Sequence, residues 1–272
     1  MTTFRTQGVH LSRDPRSEPE LRSGEPARNG ASTHATSAVS ANGMLDPTAY
    51  KYVVEPMAAR HIPAVSAIER DSFPSIWPAS AYRREIERND MAYYVVAKRT
   101  PLAGPARRPR RFPVLGVDTT PGDEGLLSKL GRLVRGEKRA YATDEAEELE
   151  TIVGYSGMWA MGYEAHVTTI AVDPPYRGEA IGELLLVALL EEARSRDAET
   201  SILECRVSNH VAQALYRKYT YRDGRVRKGY YSDDGEDAIE MSTVALDSRT
   251  FRETLAENRK RLLLKLQGTG DG

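Results

Sequence analysis

Two rhythms of apolar residues alternate along this chain. Runs with an apolar residue at every second position, and short continuous runs rich in β-branched and aromatic residues, predict strands; apolar residues three and four apart predict helices. "YKYVVEPM", from Tyr50, is a short strand. Residues Arg60–Phe73 bring Ile62, Val65 and Ile68 to helical spacing, and a second helix follows with Pro78 in its first turn. "MAYYVVAKR" is an apolar, aromatic strand. The pattern resumes after residue 150 with the strands "TIVGYSGMWAM" and "EAHVTTIAV". The second of these runs through "DPPYRGEA" into a helix, Ile181 onward, with almost no polar face. Then come the strand "TSILECRV", the helix "NHVAQALYRKY" and the strands "RVRKGYY" and "DAIEMSTVAL", the last two separated by "SDDGE", which has hairpin-turn chemistry. "SRTFRETLAENRKRLLLKL" predicts a final helix. This order of elements is mixed α/β.

Two stretches carry neither rhythm. Residues 1–49 are rich in Ser, Arg, Glu, Pro, Gly and Ala and read as a disordered tail. Residues 100–150 interrupt the strand–helix order and read as a surface insertion: "TPLAGPARRPRRFP" is basic and proline-rich, Leu126–Val134 fits a short basic amphipathic helix, and "TDEAEELE" is acidic. The expectation is one domain over 50–246, with 247–272 as a helical extension. Composition changes this picture little. Apolar residues make up 40% and the formal net charge is −1, so bulk charge points neither to a nucleic-acid binder nor to an acidic solubiliser. The single cysteine, Cys205, excludes an internal disulfide framework and fits a reducing compartment. The polar start has no signal core, and the apolar run around Ile181–Leu190 is too short to span a bilayer. A soluble cytoplasmic protein is expected.

The loop before the apolar helix carries the first chemistry. A helix N-terminus presents unpaired N–H groups and a partial positive charge, so a loop of backbone amides feeding it is an anion site. Gly178 and Gly182 let the backbone approach a phosphate, Arg177 can add charge, and Leu184, Leu185, Ala188 and Leu189 bury the helix behind them. The glycine and lysine spacings match neither the P-loop nor the dinucleotide fingerprint. Taken alone, the loop is equally a strand–turn–helix whose glycines serve only the turn.

Together with its neighbours, the loop resembles the acetyl-CoA loop of the GNAT acetyltransferases. The family pattern of Arg or Gln, two residues, Gly, one residue, then Gly or Ala falls on Arg177-Gly178-Glu179-Ala180-Ile181-Gly182, with Ala180 in place of the first pattern glycine. Downstream, "LECRVSNHVAQALYRKYTY" is similar to the segment that marks the ribosomal-protein-alanine N-acetyltransferase branch, with Glu204, Asn209 and Tyr216 in family order and Thr220 where the family has glycine. The resemblance covers about residues 51–99 and 151–246. It implies a GNAT fold: a mixed, mostly antiparallel sheet flanked by helices, with a splayed strand pair forming the acetyl-CoA cleft. It implies acetyl-CoA as cosubstrate and a protein N-terminus as acceptor, on a ribosomal protein beginning with alanine. Acetyl-CoA would be held by Ile170, Ala171 and Val172 along its pantetheine arm, by Arg177, Gly178, Glu179, Ala180, Ile181, Gly182 and Glu183 at its pyrophosphate, and by Asn209. Glu204 would be the base and Tyr216 the acid that protonates the departing thiolate.

Residue by residue, plainer roles stay open. Alternation places Ile202, Glu204 and Arg206 on one face of their strand, so Glu204 is also readable as a surface carboxylate paired with Arg206. Tyr216 shares a helix face with Ala212, Leu215 and Tyr219, as a core aromatic would. Asn209 suits a helix cap, and His166 and Cys205 read as packed structural residues. Five scattered histidines and one cysteine form no metal-ligand pattern, and no metal is expected. Tyr230, Tyr231, Asp233 and Asp234 would border the acceptor mouth in the family; a solvated turn serves equally. Arg107, Arg108, Arg110 and Arg111 offer a contact for RNA or an acidic partner, though such runs are more often solvated loop. The competing functions are acetylation of a lysine side chain or small amine, and a non-catalytic acetyl-CoA-binding module.

Overall fold

The computed structural model describes residues 4–5, 49–104 and 152–267, the first two as backbone alone. Eight strands form one sheet. In chain order they are β1 (Phe4–Arg5), β2 (Tyr52–Pro56), β3 (Ala92–Arg99), β4 (Ile152–Met161), β5 (Glu164–Val172), β6 (Thr200–Arg206), β7 (Arg222–Arg227) and β8 (Ala238–Ser242). Among the described residues five α-helices accompany them: α1 (Ile62–Arg70), α2 (Ala79–Arg88), α3 (Ile181–Ser195), α4 (His210–Lys218) and α5 (Arg249–Leu266). The strand order is β2-β3-β4-β5-β6-β8-β7, with β1 added to β5. Every pairing is antiparallel except β5 with β6.

Alternation on the strands sends side chains to two cores. On β3, Val95 and Ala97 join the core built on α3, while Tyr94 and Val96 face α1 and α2. The α3 helix is apolar all round because it is covered all round: Leu184 to Leu190 are buried between the sheet and α5. Gly154 on β4 permits this approach, since a Cβ there would stand 2.9 Å from the Ala171 carbonyl and 3.1 Å from Leu185 Cδ1. The C-terminal extension is part of the same body. Phe251, Leu255, Leu262 and Leu266 of α5 are buried, Asn258 Nδ2 donates to the Lys218 carbonyl at 2.9 Å, and the Lys51 N–H donates to the Leu266 carbonyl at 2.8 Å.

Several details depart from the sequence pattern. The seventh strand lies at Arg222–Arg227, earlier than "RVRKGYY": Gly229 turns the chain at φ 59° and Tyr231 packs its ring inward. Its connection to β8 spans residues 228–237, and the turn at "SDDGE" forms within it: the Tyr231 N–H donates to the Glu236 carbonyl at 3.1 Å and the Gly235 N–H to the Tyr231 carbonyl at 2.7 Å. Pro78 precedes α2 as its extended N-cap residue. In the tail read as disordered, Phe4 and Arg5 form a strand. The rest of that tail and residues 105–151, with the four-arginine run and the basic helix expected at 126–134, lie outside the described residues.

Candidate active site

The sheet opens between β5 and β6. The two strands pair in parallel only from Glu164 with Thr200 to His166 with Ile202. Beyond this point β5 keeps its ladder to β4, and β6 keeps its ladder to β8, but not to each other. The β5 edge is also re-aimed here. Gly157 of β4 faces Thr169 and Met158 faces Val167, so Thr168 is the extra residue of a bulge, a device that turns a strand at functional sites. The edge from Thr168 to Val172 thus borders a V-shaped cleft, and β1 lies in it, with Phe4 opposite Ile170 and Arg5 opposite Thr169.

Glu204 stands two residues past the last β5–β6 pair, at the apex of the V, with 1% of its surface exposed. His166 Nε2 donates to Glu204 Oε2 at 2.8 Å, and Arg227 Nη1 donates to Oε1 at 2.8 Å. Burial by itself raises this carboxyl's pKa, but the hydrogen bond and charge of His166 and the Arg227 guanidinium outweigh it and hold the group below the usual carboxylate range. Arg206, the surface partner considered for Glu204, turns away. It binds Asp233 at 2.6 Å, Asp234 at 2.8 Å and Glu236 at 2.8 Å, and lies over the Tyr231 ring at 3.9 Å. This cluster ties the 228–237 connection to β6, and Arg227 stacks on Tyr230 beside it at 4.6 Å.

Tyr216 is fully buried on α4, and burial, with Cys205, Tyr221 and Tyr231 nearby, pushes its phenol well above its ordinary value. Its face of α4 is the expected one: Ala212 and Tyr219 are buried with it and Leu215 packs against the same core. Asn209 caps α4, its Oδ1 accepting from the Ala212 N–H at 3.2 Å. Cys205 is a core residue whose thiol is pushed up to about 12 by burial, which keeps it protonated and inert.

The loop between β5 and α3 is held from both sides. Arg177 Nε donates to the Val172 carbonyl at 3.1 Å and Nη2 to Ser72 Oγ at 3.3 Å, so its guanidinium clasps the base of the loop. Tyr52 donates to the Glu179 carboxylate. The Glu183 carboxylate accepts from Lys218 and from Tyr219 Oη, the latter at 2.8 Å, so its side chain joins α3 to α4. The backbone of the loop also offers donors to an anion. Gly178 at φ 89° and Ala180 at φ 64° turn the chain, and the first N–H groups of α3, at Ile181, Gly182 and Glu183, have no partner inside the helix. No side chain caps this end, whereas Asn209 caps α4 and Ser248 caps α5. An uncapped helix start behind two left-handed residues, at the end of an open strand edge, fits the pyrophosphate and pantetheine of a CoA thioester. Among the described residues, no cluster of three or more His, Cys, Asp or Glu could hold a metal ion, and no helix is long and apolar enough to cross a membrane.

Sequence reading missed His166 and Arg227 as partners of Glu204. His166 was legible only as a polar residue in an apolar strand, and Arg227 as one of several charges in its own strand.

A splayed mixed sheet with an anion-binding loop at one end of the cleft and a buried carboxylate at its apex defines an acyltransferase of the CoA-dependent kind. The profile of the acetyltransferase (GNAT) family matches residues 115–221. A Bacillus subtilis (strain 168) relative, provisionally named a ribosomal protein bS18-alanine N-acetyltransferase, is 31% identical over 191 residues, covering 70% of this chain and 94% of the relative. The Mycobacterium tuberculosis N-alpha-acetyltransferase RimI is 41% identical over 95 residues, 34% of this chain and 58% of that protein. The Escherichia coli (strain K12) ribosomal protein bS18-alanine N-acetyltransferase is 41% identical over 81 residues, 29% of this chain and 55% of the relative. A crystal structure of an Escherichia coli ribosomal-protein-S18-alanine N-acetyltransferase superposes with a TM-score of 0.48 at 20% identity, covering 72% of this chain and 95% of that one. The chain belongs to the GNAT family of acetyltransferases. It is an N-acetyltransferase, and the family's acyl donor is acetyl-CoA.

Proposed function

We propose that this enzyme uses acetyl-CoA to acetylate the α-amino group of a protein N-terminus, with a ribosomal protein beginning with alanine as acceptor. The observation that carries the chemistry is Glu204, a buried carboxylate held ionised by His166 and Arg227 at the apex of the cleft. The acceptor follows the names of the relatives matched above.

Acetyl-CoA would supply a thioester whose carbonyl carbon accepts the amine. The first amides of α3, with those of Gly178 to Ala180, would hold its pyrophosphate, and the backbone of Ile170 to Val172 would align its pantetheine arm as a strand aligns a neighbour. Glu204 cannot take a proton from an ammonium outright, because an α-amino group titrates near ~7.8 and this carboxyl is held below even the ordinary carboxylate range. It attracts and orients the amine instead. As nitrogen bonds to carbon, its remaining proton becomes strongly acidic, and the carboxylate then accepts it directly or through one water. The carbon–sulfur bond breaks, and Tyr216, kept protonated by its burial, gives its proton to the sulfur.

Acetyl-CoA turnover with two peptides tests this reading. One has a free N-terminal alanine and no lysine; the other has a blocked N-terminus and an internal lysine. Turnover on the first alone is expected, and Glu204→Gln should lower it by about 10²–10⁴ while leaving acetyl-CoA bound. Activity on the lysine peptide alone would refute the N-terminal reading. Activity on neither peptide, with acetyl-CoA bound, points to a small amine or to the non-catalytic module.

A further inference from the structure

Part of the cleft is filled by the chain itself. β1 comes from the far end of the sequence, separated from the domain by the residues before Tyr50, and it adds to the β5 edge between the bulge at Thr168 and the anion loop that starts at Arg177. It also lies against β6, so it occupies the mouth of the V rather than an outer edge. Phe4 opposes Ile170 and Arg5 opposes Thr169, antiparallel. Any donor whose pyrophosphate rests on the α3 amides and whose thioester reaches Glu204 must cross this stretch of β5. Two strand-like partners cannot use the same N–H and C=O groups, because each backbone group of an edge closes one ladder.

We infer that the open β5 edge is a docking surface for an extended peptide, that the chain's own Phe4–Arg5 segment is its occupant, and that this occupant excludes the donor's pantetheine arm. The inference rests on the reading of the cleft given under Proposed function. Recognition is by main-chain pairing, as in strand addition to a sheet edge. A docked segment leaves only the undocked fraction competent to bind, and the apparent dissociation constant is the intrinsic one divided by that fraction. With about nine molecules in ten docked, affinity for acetyl-CoA is masked about tenfold.

Calorimetric titration of acetyl-CoA into three proteins decides the matter: the full chain, a variant lacking residues 1–8, and the double variant Phe4→Pro/Arg5→Pro, which keeps the segment but removes the N–H of both residues, whichever of the two faces β5. Both variants should bind acetyl-CoA more tightly, by up to about tenfold, with kcat at saturating acetyl-CoA unchanged. A synthetic peptide of residues 1–10 should compete with acetyl-CoA for the deletion variant. Equal affinity in all three proteins, or weaker affinity in the variants, overturns the inference while leaving the enzyme reading intact. Tightening in the deletion alone overturns strand pairing as the means of exclusion. No acetyl-CoA binding in any of the three overturns the reading of the cleft and this inference with it.

Discussion

Replacing Ala180 by glycine should both stabilise the protein and tighten acetyl-CoA binding. Ala180 is the N-cap residue of α3 and sits at φ 64°, ψ 11°. In that left-handed conformation an L-residue's Cβ crowds the following carbonyl, at a cost of about 1–2 kcal/mol. Glycine carries no such cost but gives the unfolded chain more freedom, which takes back roughly 0.5–1 kcal/mol. The net gain is about 0.5–1 kcal/mol. For a domain of this size that raises Tm by about 1–4 °C. The same change removes a methyl from the loop whose amides would face the pyrophosphate, so acetyl-CoA affinity should rise about threefold or more, on the order of 0.7 kcal/mol. Paired thermal melts and calorimetric titrations of Ala180→Gly and Ala180→Val measure both effects. The β-branched valine should move both in the opposite direction. An unchanged or lower Tm in Ala180→Gly would refute the backbone argument. A raised Tm with unchanged affinity would refute the steric one alone and place the methyl off the anion's path.

Three further outcomes follow from the same geometry. Thr220 sits at φ 66° in a complete Schellman ending of α4, with the Tyr221 N–H donating to the Tyr216 carbonyl at 3.2 Å, the Thr220 N–H donating to the Arg217 carbonyl at 3.1 Å, and its own hydroxyl buried without a hydrogen-bond partner; Thr220→Gly should therefore raise stability by about 1–2 kcal/mol in denaturant melts, and a loss would contradict the strain. Glu204 has a depressed folded pKa, so its pairing stabilises the protein above the unfolded carboxyl's range and is lost as pH falls through the lower, folded value. The stability gap between wild type and Glu204→Gln should accordingly shrink from pH 7 to pH 3, and a constant gap counts against the buried ion pair. His166→Gln keeps a donor to Glu204 but no charge, so the carboxyl should titrate higher and the acid limb of the kcat/KM profile should move to higher pH; a histidine that only packs would lower Tm and leave that limb in place.

What the sequence made legible was whatever a single element encodes. The period of α3, the loop ahead of it, the shared face of Ala212, Tyr216 and Tyr219 and the cap at Asn209 depend on spacing within one segment, and each appears where its spacing put it. Thr220 illustrates the boundary. It stands where the family has glycine, yet the helix ending is intact, because the backbone hydrogen bonds hold Thr220 in the left-handed region. The partners of Glu204 depend on register instead. Alternation correctly put Glu204 and Arg206 on one face, but Arg206 is drawn to three carboxylates in the 228–237 connection, while His166 arrives from β5 and Arg227 from β7. Arg177 depends on register in the same way: its spacing could not show that the Val172 carbonyl and the Ser72 hydroxyl accept from its guanidinium. The Phe4–Arg5 strand carries no periodic signal at all, since two residues are too few to show a period.

The electrostatics of Glu204 bear on which acceptor the site suits. A carboxylate held low by the His166 hydrogen bond and the Arg227 guanidinium is a weak base and a good counter-charge. Such a group does little for an amine that arrives almost wholly protonated. A lysine ammonium, near ~10.4, is a few hundredfold less often neutral than an α-amino group near ~7.8, a difference of about 3.5 kcal/mol that the base would have to supply. An N-terminus needs no such help, because a useful fraction of it is already neutral and only the late proton, made acidic by bond formation, must be removed. The environment that weakens Glu204 as a base for lysine therefore leaves it adequate for an α-amine. If His166→Gln raises the carboxyl as expected, the discrimination between the two acceptors should narrow, and a ratio of kcat/KM values for the two peptides that stays fixed in that variant would show that acceptor choice is set by the shape of the mouth instead.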